Sequence, residues 1–88
     1  DTRVVAIGAA SNALGTVTDL APVIEMARRV GALVAVDAVH RVPHAHTDVQ
    51  ALGVDFLGCS AYKFYGPHVG VVWGRRALLQ ALDAPKLR

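Results

Sequence analysis

The chain has 88 residues, and nine Lys and Arg residues against seven Asp and Glu residues give it a formal net charge of +2. Hydrophobic residues make up 53% of the chain and charged residues 18%, which is too apolar for a disordered segment. The Lys and Arg residues form no run longer than the pairs Arg28-Arg29 and Arg75-Arg76, and this excludes a basic nucleic-acid-binding arm. Since no apolar stretch reaches the ~18–20 residues of a membrane span, we expect neither nucleic acid nor a membrane as a partner.

The beginning of the chain predicts a buried strand followed by a helix. Residues 4–10 are a continuous apolar run, which is typical of a buried strand, and the turn-forming residues 11–15 end it. From about Leu20 to Val30 the apolar residues recur at helical spacing. Asp19 is in position to cap this helix, and Gly31 can end it in the left-handed conformation.

The rest of the chain predicts three more strands and two short helices. In chain order these are a strand at 32–36 that ends at Asp37, a helical turn near 48–52, strands at 55–60 and 69–73, and a helix from Arg76 to Leu82. Connections of a dozen or more residues join parallel strands by right-handed crossovers. The strands are apolar on both faces, as in sheets that helices cover on either side. We therefore predict an α/β fold with a mostly parallel sheet and flanking helices, cut from a larger domain.

Polar side chains collect where three neighbouring strands of this predicted sheet end. In an open parallel sheet, ligands bind beyond the carboxyl ends of the strands. The candidates after the first, second and third strands, in that order, are Asn12, then Asp37 and His40, then Ser60, Tyr62 and Lys63. The sequence therefore predicts one site that combines an amide, a carboxylate, an imidazole, two hydroxyls and an amine.

Asp37 and Lys63 carry the chemical prediction, although each has a simpler explanation. Asp37 could cap a turn, and Lys63 could be an ordinary surface lysine. Lys63, however, follows a buried strand and lies between Tyr62 and Phe64, where a lysine can lose its proton and attack a carbonyl. An amine and a carboxylate on adjacent strand ends are the pair that pyridoxal phosphate needs, since one forms the Schiff base and the other keeps the pyridine nitrogen protonated.

Four motifs occur along the chain in a defined order and spacing. They are Ser11-Asn12-Ala13-Leu14-Gly15, Val36-Asp37-Ala38-Val39-His40, Asp55-Phe56-Leu57 and Ser60-Ala61-Tyr62-Lys63-Phe64-Tyr65-Gly66-Pro67-His68. As an ordered set they resemble the class V aminotransferase/cysteine desulfurase family, and most closely its cysteine desulfurase-like branch. The resemblance implies that residues 1–88 are the central part of the large domain of a fold type I, pyridoxal-phosphate-dependent enzyme, in which the last strand, at about 69–73, is antiparallel. Lys63 would be the Schiff-base lysine and Asp37 the partner of the pyridine nitrogen.

The resemblance also implies roles for the other candidates. His40 stands where the desulfurases usually have a glutamine that touches the phenolic oxygen of the cofactor, and Asn12 would approach that oxygen or the substrate carboxylate. Ser60 would hold the phosphate. Tyr62 stands where the desulfurases usually have a phosphate-binding histidine, and its phenol can still donate one hydrogen bond.

The activity implied by the resemblance is sulfur removal from cysteine, or a related lyase reaction, on a small amino acid in a homodimeric full-length protein. Transamination and epimerisation on the same fold stay open as alternatives. In the family, the ring-stacking residue, an arginine for the substrate carboxylate and a mobile sulfur-accepting cysteine lie outside these motifs. We therefore expect the isolated segment to be inactive.

Two interpretations outside the family compete with this one. His44 and His46 lie close to Asp48, but they lack a recognised zinc spacing, so we predict no metal site. The glycines after the first strand do not form the G-x-G-x-x-G pattern of a dinucleotide-binding loop. A non-catalytic α/β nucleotide- or metal-binding module is the alternative if Lys63 lies away from the site.

The single cysteine, Cys59, cannot form an internal disulfide, which is typical of a reducing compartment such as the cytoplasm. It lies within the third predicted strand, directly before Ser60. Because free cysteines are among the most buried residue types, we predict that Cys59 packs in the core rather than accepting sulfur.

Overall fold

The computed structural model describes residues 1–85, which form four strands, three α-helices and one 3-10 turn. The elements are β1 (Val4–Gly8), α1 (Ala21–Arg29), β2 (Leu33–Asp37), α2 (Val49–Leu52), β3 (Phe56–Ser60), the 3-10 turn (Ala61–Phe64), β4 (Gly70–Gly74) and α3 (Arg76–Ala81). Each strand and helix that the sequence predicts is present, with bounds that differ by one or two residues. Along residues 1–85, none of the helices is long and apolar enough to pass through a lipid bilayer.

The four strands form one sheet in the order β1-β2-β3-β4. Strands β1, β2 and β3 run parallel, and Gly8, Asp37 and Gly58 lie side by side near their carboxyl ends. Strand β4 runs antiparallel to β3, with Gly70 opposite Ser60, because the connection between them is too short for the crossover that a parallel pair needs. The prediction of a mostly parallel sheet with an antiparallel last strand is confirmed.

Helix α1 packs its apolar side against β2 and buries Ile24 in the core. Gly31 follows the helix with a φ of 71°, which is the left-handed conformation expected at its end. The N-cap position belongs to Leu20 and not to Asp19 as predicted, because the helix begins one residue later than the apolar pattern indicates. The Asp19 carboxylate still accepts a hydrogen bond from the N–H of Ala21 at 3.2 Å, and it thereby satisfies one of the free donors of the first turn.

The two faces of the sheet differ in what covers them, since alternate residues of a strand point to opposite faces. On the face covered by α1, Val34 and Leu57 are buried. The opposite face contains an open groove of about 430 Å³, whose lining includes Ala35, Phe56 and Val72. One apolar face of the sheet is therefore exposed.

Asp55 is a buried carboxylate that ties three segments together. Its Oδ2 accepts a hydrogen bond from the N–H of Val34 in β2 at 2.7 Å, and its Oδ1 lies 3.3 Å from Nε of Arg75. The carbonyl oxygen of Asp55 also accepts a hydrogen bond from the N–H of Arg75 at 3.0 Å. These contacts fix the start of β3 against β2 and against the connection between β4 and α3.

Cys59 lies in β3, as predicted, and its thiol is free. Its side chain is half-buried and lies outside the fully buried core. The prediction of its place in the strand is therefore confirmed, whereas full burial in the core is not observed.

Candidate functional site

The loop after β1 presents Asn12 at an exposed position. Ser11 organises this loop, because its Oγ accepts hydrogen bonds from the N–H groups of Ala13 and Leu14, both at 3.2 Å. The N–H of Ser11 donates to the carbonyl oxygen of Thr16 at 2.8 Å and closes the loop. Asn12 is thus held on a short, internally bonded turn beyond the carboxyl end of β1.

Asp37 ends β2 beside two glycines. Its neighbours in register are Gly8 of β1 and Gly58 of β3, and a Cβ atom at either glycine would meet no atom within 4 Å. The Asp37 side chain is exposed, and its Oδ1 accepts a hydrogen bond from the N–H of Val39 at 3.0 Å. Asp37 therefore caps a turn, which is the simpler of the two roles predicted for it. The cap uses Oδ1 and leaves Oδ2 to contact a ligand in the open space beside it.

Lys63 lies in the 3-10 turn that follows β3, and it is exposed. Its Nζ lies over the ring of Tyr62, 5.3 Å from the ring centroid, which is within the range of a cation–π interaction. Tyr62 in turn stacks on His68, with the ring centroids 4.9 Å apart and an angle of 16° between the planes. The side chain of Lys63 therefore rests on an aromatic pair.

Two backbone hydrogen bonds close the segment that carries Lys63. The N–H of Ala61 donates to the carbonyl oxygen of Val69 at 2.9 Å, and the N–H of Gly66 donates to the carbonyl oxygen of Ala61 at 2.8 Å. Gly66 approaches Ala61 so closely that a Cβ atom at Gly66 would lie 2.8 Å from the Cβ of Ala61. Tyr65 takes a left-handed conformation with a φ of 68° to complete the turn. The position of Lys63 is thus set by a tightly closed loop.

A pocket of about 590 Å³ is lined by residues of the loop after β1 and of the loop after β2. Asn12, His40 and Lys63 all line it, so the structure brings together one candidate from each of the three strand ends. Asp37 lines the open groove on the exposed sheet face instead. Ser60 lies half-buried at the N-cap of the 3-10 turn, and its hydroxyl makes no capping hydrogen bond there.

Arg41 is a pocket residue that the sequence did not single out. It lines the same pocket as Asn12, His40 and Lys63, and its Nε is buried without a hydrogen-bond partner among the described residues. A lone arginine in a polar connection belongs to no motif, so only its place in the folded chain indicates a role.

The polar segment after β2 contains His44, His46 and Asp48. Hydrogen bonds from the N–H groups of Ala51 and Gln50 hold the pKa of the Asp48 carboxyl below its ordinary value, and the charge of His46 acts in the same direction. Within residues 1–85, no three His, Cys, Asp or Glu side chains are grouped so that they could hold a metal ion. Asp48 is the N-cap of α2, where its Oδ1 accepts these two hydrogen bonds.

Comparison with known families now defines the class of protein. The family model described as aminotransferase class-V matches residues 1–87, and the chain belongs to this family. The resemblance found in the sequence motifs is thus confirmed.

Cysteine desulfurases are among the relatives of this chain. A cysteine desulfurase from Klebsiella pneumoniae is 50% identical over 82 residues, which are 92% of this chain and 20% of that protein. The crystal structure of the cysteine desulfurase CsdA from Escherichia coli is 41% identical with a TM-score of 0.86, and the match covers 90% of this chain and 20% of that one. The structure of a cysteine desulfurase from Thermococcus onnurineus is 31% identical with a TM-score of 0.88, over 97% of this chain and 22% of that one. The chain therefore spans about a fifth of the length of the relatives it matches.

Proposed function

We propose that the chain is the central part of the large domain of a pyridoxal-phosphate-dependent enzyme of the cysteine desulfurase-like kind. The enzyme would remove sulfur from cysteine or carry out a related lyase reaction on a small amino acid. The observation that carries the proposal is the placement of Asp37 and Lys63 at the ends of adjacent parallel strands, each with a reactive atom open to a ligand. The names of the relatives support the substrate class. A homodimer in the cytoplasm is part of the same proposal.

The residues at these strand ends fit the cofactor. Gly8 and Gly58 leave open space on either side of the Asp37 carboxylate, which suits a flat ring. Lys63 offers a primary amine in the neighbouring pocket, and Ser60 has a hydroxyl that its turn does not use. When bound, pyridoxal phosphate supplies an electron sink for the bonds at the α-carbon of the substrate.

Asp37 would bind the pyridine nitrogen through Oδ2. The hydrogen bond from the N–H of Val39 to Oδ1 fixes the orientation of the carboxylate before any ligand arrives. A negative charge beside a ring nitrogen favours the protonated form of that nitrogen. Such a preorganised charge acts without any rearrangement at the moment of reaction.

Lys63 would hold the resting cofactor covalently through Nζ. When Nζ is not bonded to the cofactor, its amine would move a proton at the substrate. His40 and Asn12 line the same pocket and would donate hydrogen bonds to oxygen atoms of the cofactor or of the substrate carboxylate. Ser60 and Tyr62 would offer hydroxyl groups to the phosphate. Each of these side chains lies at or after the carboxyl end of a strand.

Chemical labelling of the full-length protein tests the role of Lys63. Borohydride reduction in the presence of pyridoxal phosphate, followed by peptide mapping, should place the label on Lys63. A Lys63→Arg variant keeps the positive charge but cannot form the covalent bond, so it should carry no label. Label on Lys86, which lies outside the described residues, would contradict the proposal.

Product analysis tests the reaction class. With dithiothreitol present to reduce the released sulfur, full-length enzyme with L-cysteine should give sulfide and alanine in equal amounts. Formation of a keto acid without sulfide would favour transamination, and loss of optical activity without sulfide would favour epimerisation.

A further inference from the structure

The charged side chains that line the pocket beside Lys63 are those of one arginine and one lysine. Arg41 and Lys63 line it together with two histidines, His40 and His44, and no Asp or Glu occurs among the described residues of its lining. A concave site lined by one sign of charge attracts ligands of the opposite sign. The pocket therefore suits an anionic group.

Arg41 has hydrogen-bonding capacity that the described residues do not use. Arg28, Arg29 and Arg75 each contact an oxygen acceptor of the chain. The Nε of Arg41, by contrast, is buried and has no partner among the described residues. A buried donor without an acceptor costs free energy, so the guanidinium gains a hydrogen bond if it turns towards an oxygen atom of a ligand in the pocket.

The backbone of Arg41 is held in place from both sides. Its N–H donates to the carbonyl oxygen of Ala38, and its own carbonyl oxygen accepts hydrogen bonds from the N–H groups of His44 and Ala45, all at 3.0 Å. Ala38 is fully buried, so the starting point of the Arg41 side chain is anchored to the core. A guanidinium on an anchored backbone can present its donors to an oxyanion in a defined orientation.

Asp19 is the carboxylate that could compete for Arg41. It lines a smaller cleft that Arg41 also borders, but the ion pairs among the described residues do not include one between the two. The Oδ1 of Asp19 already accepts a hydrogen bond from the N–H of Ala21. The charge of Arg41 is therefore not paired with that of Asp19.

We propose that Arg41 binds an oxyanion group of the amino-acid substrate in the pocket that Lys63 lines. This inference rests on the proposed function, because the pocket must receive the amino acid that Lys63 acts on. The shared chemistry is a carboxylate or another acidic oxygen group, which the substrate carries either at its α-carbon or on its side chain.

Ligand binding to the cofactor-free full-length protein tests this separately from catalysis. The variants are Arg41→Gln, which removes the charge, and Arg41→Lys, which keeps it but lacks Nε. The matched control is Arg76→Gln, an exposed arginine of α3 that lies outside the pocket. Calorimetry measures the dissociation constant of 3-mercaptopropionate, which has a carboxylate and no amine, and of cysteamine, which has an amine and no carboxylate.

Arg41→Gln should weaken 3-mercaptopropionate binding by about 10- to 100-fold, the size expected for a lost hydrogen bond to a charged group. Cysteamine binding should stay unchanged, Arg41→Lys should restore part of the affinity, and Arg76→Gln should bind both ligands as the wild type does. Equal affinity of the wild type and Arg41→Gln for 3-mercaptopropionate, together with an unchanged KM for L-cysteine sulfinate, would overturn the proposal. So would an equal loss for both ligands, because that result indicates a merely structural role. Failure of borohydride labelling at Lys63 would instead overturn the proposed function.

Steady-state kinetics on the loaded enzyme locates the oxyanion. If Arg41 binds the α-carboxylate, Arg41→Gln raises KM for L-cysteine and for L-cysteine sulfinate alike. If it binds an acidic side chain, only KM for L-cysteine sulfinate rises. Unchanged KM values for both substrates would contradict the inference.

Discussion

Asp37 combines a structural role with a free acceptor oxygen in one side chain. Its Oδ1 accepts the hydrogen bond from the N–H of Val39, whereas this turn donates no hydrogen bond to Oδ2. An asparagine at this position also offers an oxygen to Val39, so it keeps the turn and removes only the negative charge. A single substitution can therefore separate the shape of the turn from its electrostatic effect.

We expect Asp37→Asn to retain the cofactor and to lower turnover of L-cysteine by roughly 100-fold or more. This is the size typical of losing one preorganised electrostatic contact. The measurement is kcat of the full-length enzyme, with cofactor content followed by absorbance. Asp19→Asn is the matched control, because Asp19 also accepts a backbone hydrogen bond and lies outside the pocket and the open groove. Unchanged turnover in Asp37→Asn would mean that Asp37 is only a turn cap.

The positions of Asp37 and Lys63 at strand ends could be predicted from the sequence, whereas the surroundings of Arg41 and Asp55 could not. Asp37 and Lys63 follow apolar runs, and a residue that follows a strand lies at the carboxyl edge of a parallel sheet. The importance of Asp55 depends on the N–H of Val34 and on Arg75, which lie far from it along the chain. The place of Arg41 in the pocket likewise depends on the loop after β1, whose residues line the same pocket. Contacts of this kind leave no local pattern.

The loop between β3 and β4 is constrained by close contacts. It is closed by the hydrogen bonds from Ala61 to Val69 and from Gly66 to Ala61. A Cβ atom at Gly66 would lie 2.8 Å from the Cβ and 2.9 Å from the carbonyl oxygen of Ala61. Since the carbonyl oxygen is backbone, relief of the overlap requires the loop that carries Lys63 to shift.

We expect Gly66→Ala to weaken cofactor binding about tenfold, because overpacking costs ~1–3 kcal/mol and the loop must move Lys63 to relieve it. The measurement is the dissociation constant of pyridoxal phosphate from the full-length protein. Gly70→Ala is the matched control, since a Cβ atom at Gly70 meets nothing within 4 Å. Equal affinity in the two variants would show that the contact at Gly66 does not position Lys63.

Helix α2 is short, and its start depends on Asp48. The carboxylate accepts hydrogen bonds from the N–H groups of Gln50 and Ala51, at 2.9 and 3.0 Å. These bonds favour the charged form and lower the pKa of Asp48 in the folded protein. Because the folded-state pKa is depressed, the stabilising contribution is present above the unfolded-state pKa of about 3.9. It is lost as the pH falls through the folded-state pKa.

We therefore expect Asp48→Ala to speed amide hydrogen exchange at Gln50 and Ala51 relative to the wild type at pH 5.5. The ratio of the two exchange rates should fall towards one as the pH drops below about 3.9. A ratio that does not change between pH 5.5 and pH 3 would contradict a role for the carboxylate charge.

The positions of the elements could be predicted because apolar runs and helical spacing are local properties. The antiparallel direction of β4 was predicted from the family resemblance, and the short connection after β3 explains it physically. The prediction of the N-cap of α1 was wrong by one residue, since Leu20 and not Asp19 is the cap. The Asp19 carboxylate accepts the hydrogen bond from the N–H of Ala21 from the position before the cap. Helix boundaries depend on such details of the backbone.

At the scale of the whole molecule, the sheet is covered on the α1 face and exposed on the other. The exposed face carries Ala35, Phe56 and Val72 along the open groove. An apolar face of this kind is normally covered by protein. In the proposed enzyme, the other four-fifths of the protein would supply that cover, together with the parts of the site that these residues lack.

We expect the 88-residue segment on its own to associate in solution and to have no turnover. Its exposed apolar groove favours association, which size-exclusion chromatography would detect. Catalysis requires the substrate to be held in register with the cofactor, and small misplacements cost orders of magnitude in rate. The segment supplies Asp37 and Lys63, but the surrounding protein must hold the substrate over them. With pyridoxal phosphate, L-cysteine and dithiothreitol as reductant, sulfide and alanine release should match that of free cofactor, and a Lys63→Ala segment should behave identically. Release well above free cofactor that depends on Lys63 would show that these residues form a complete catalytic site.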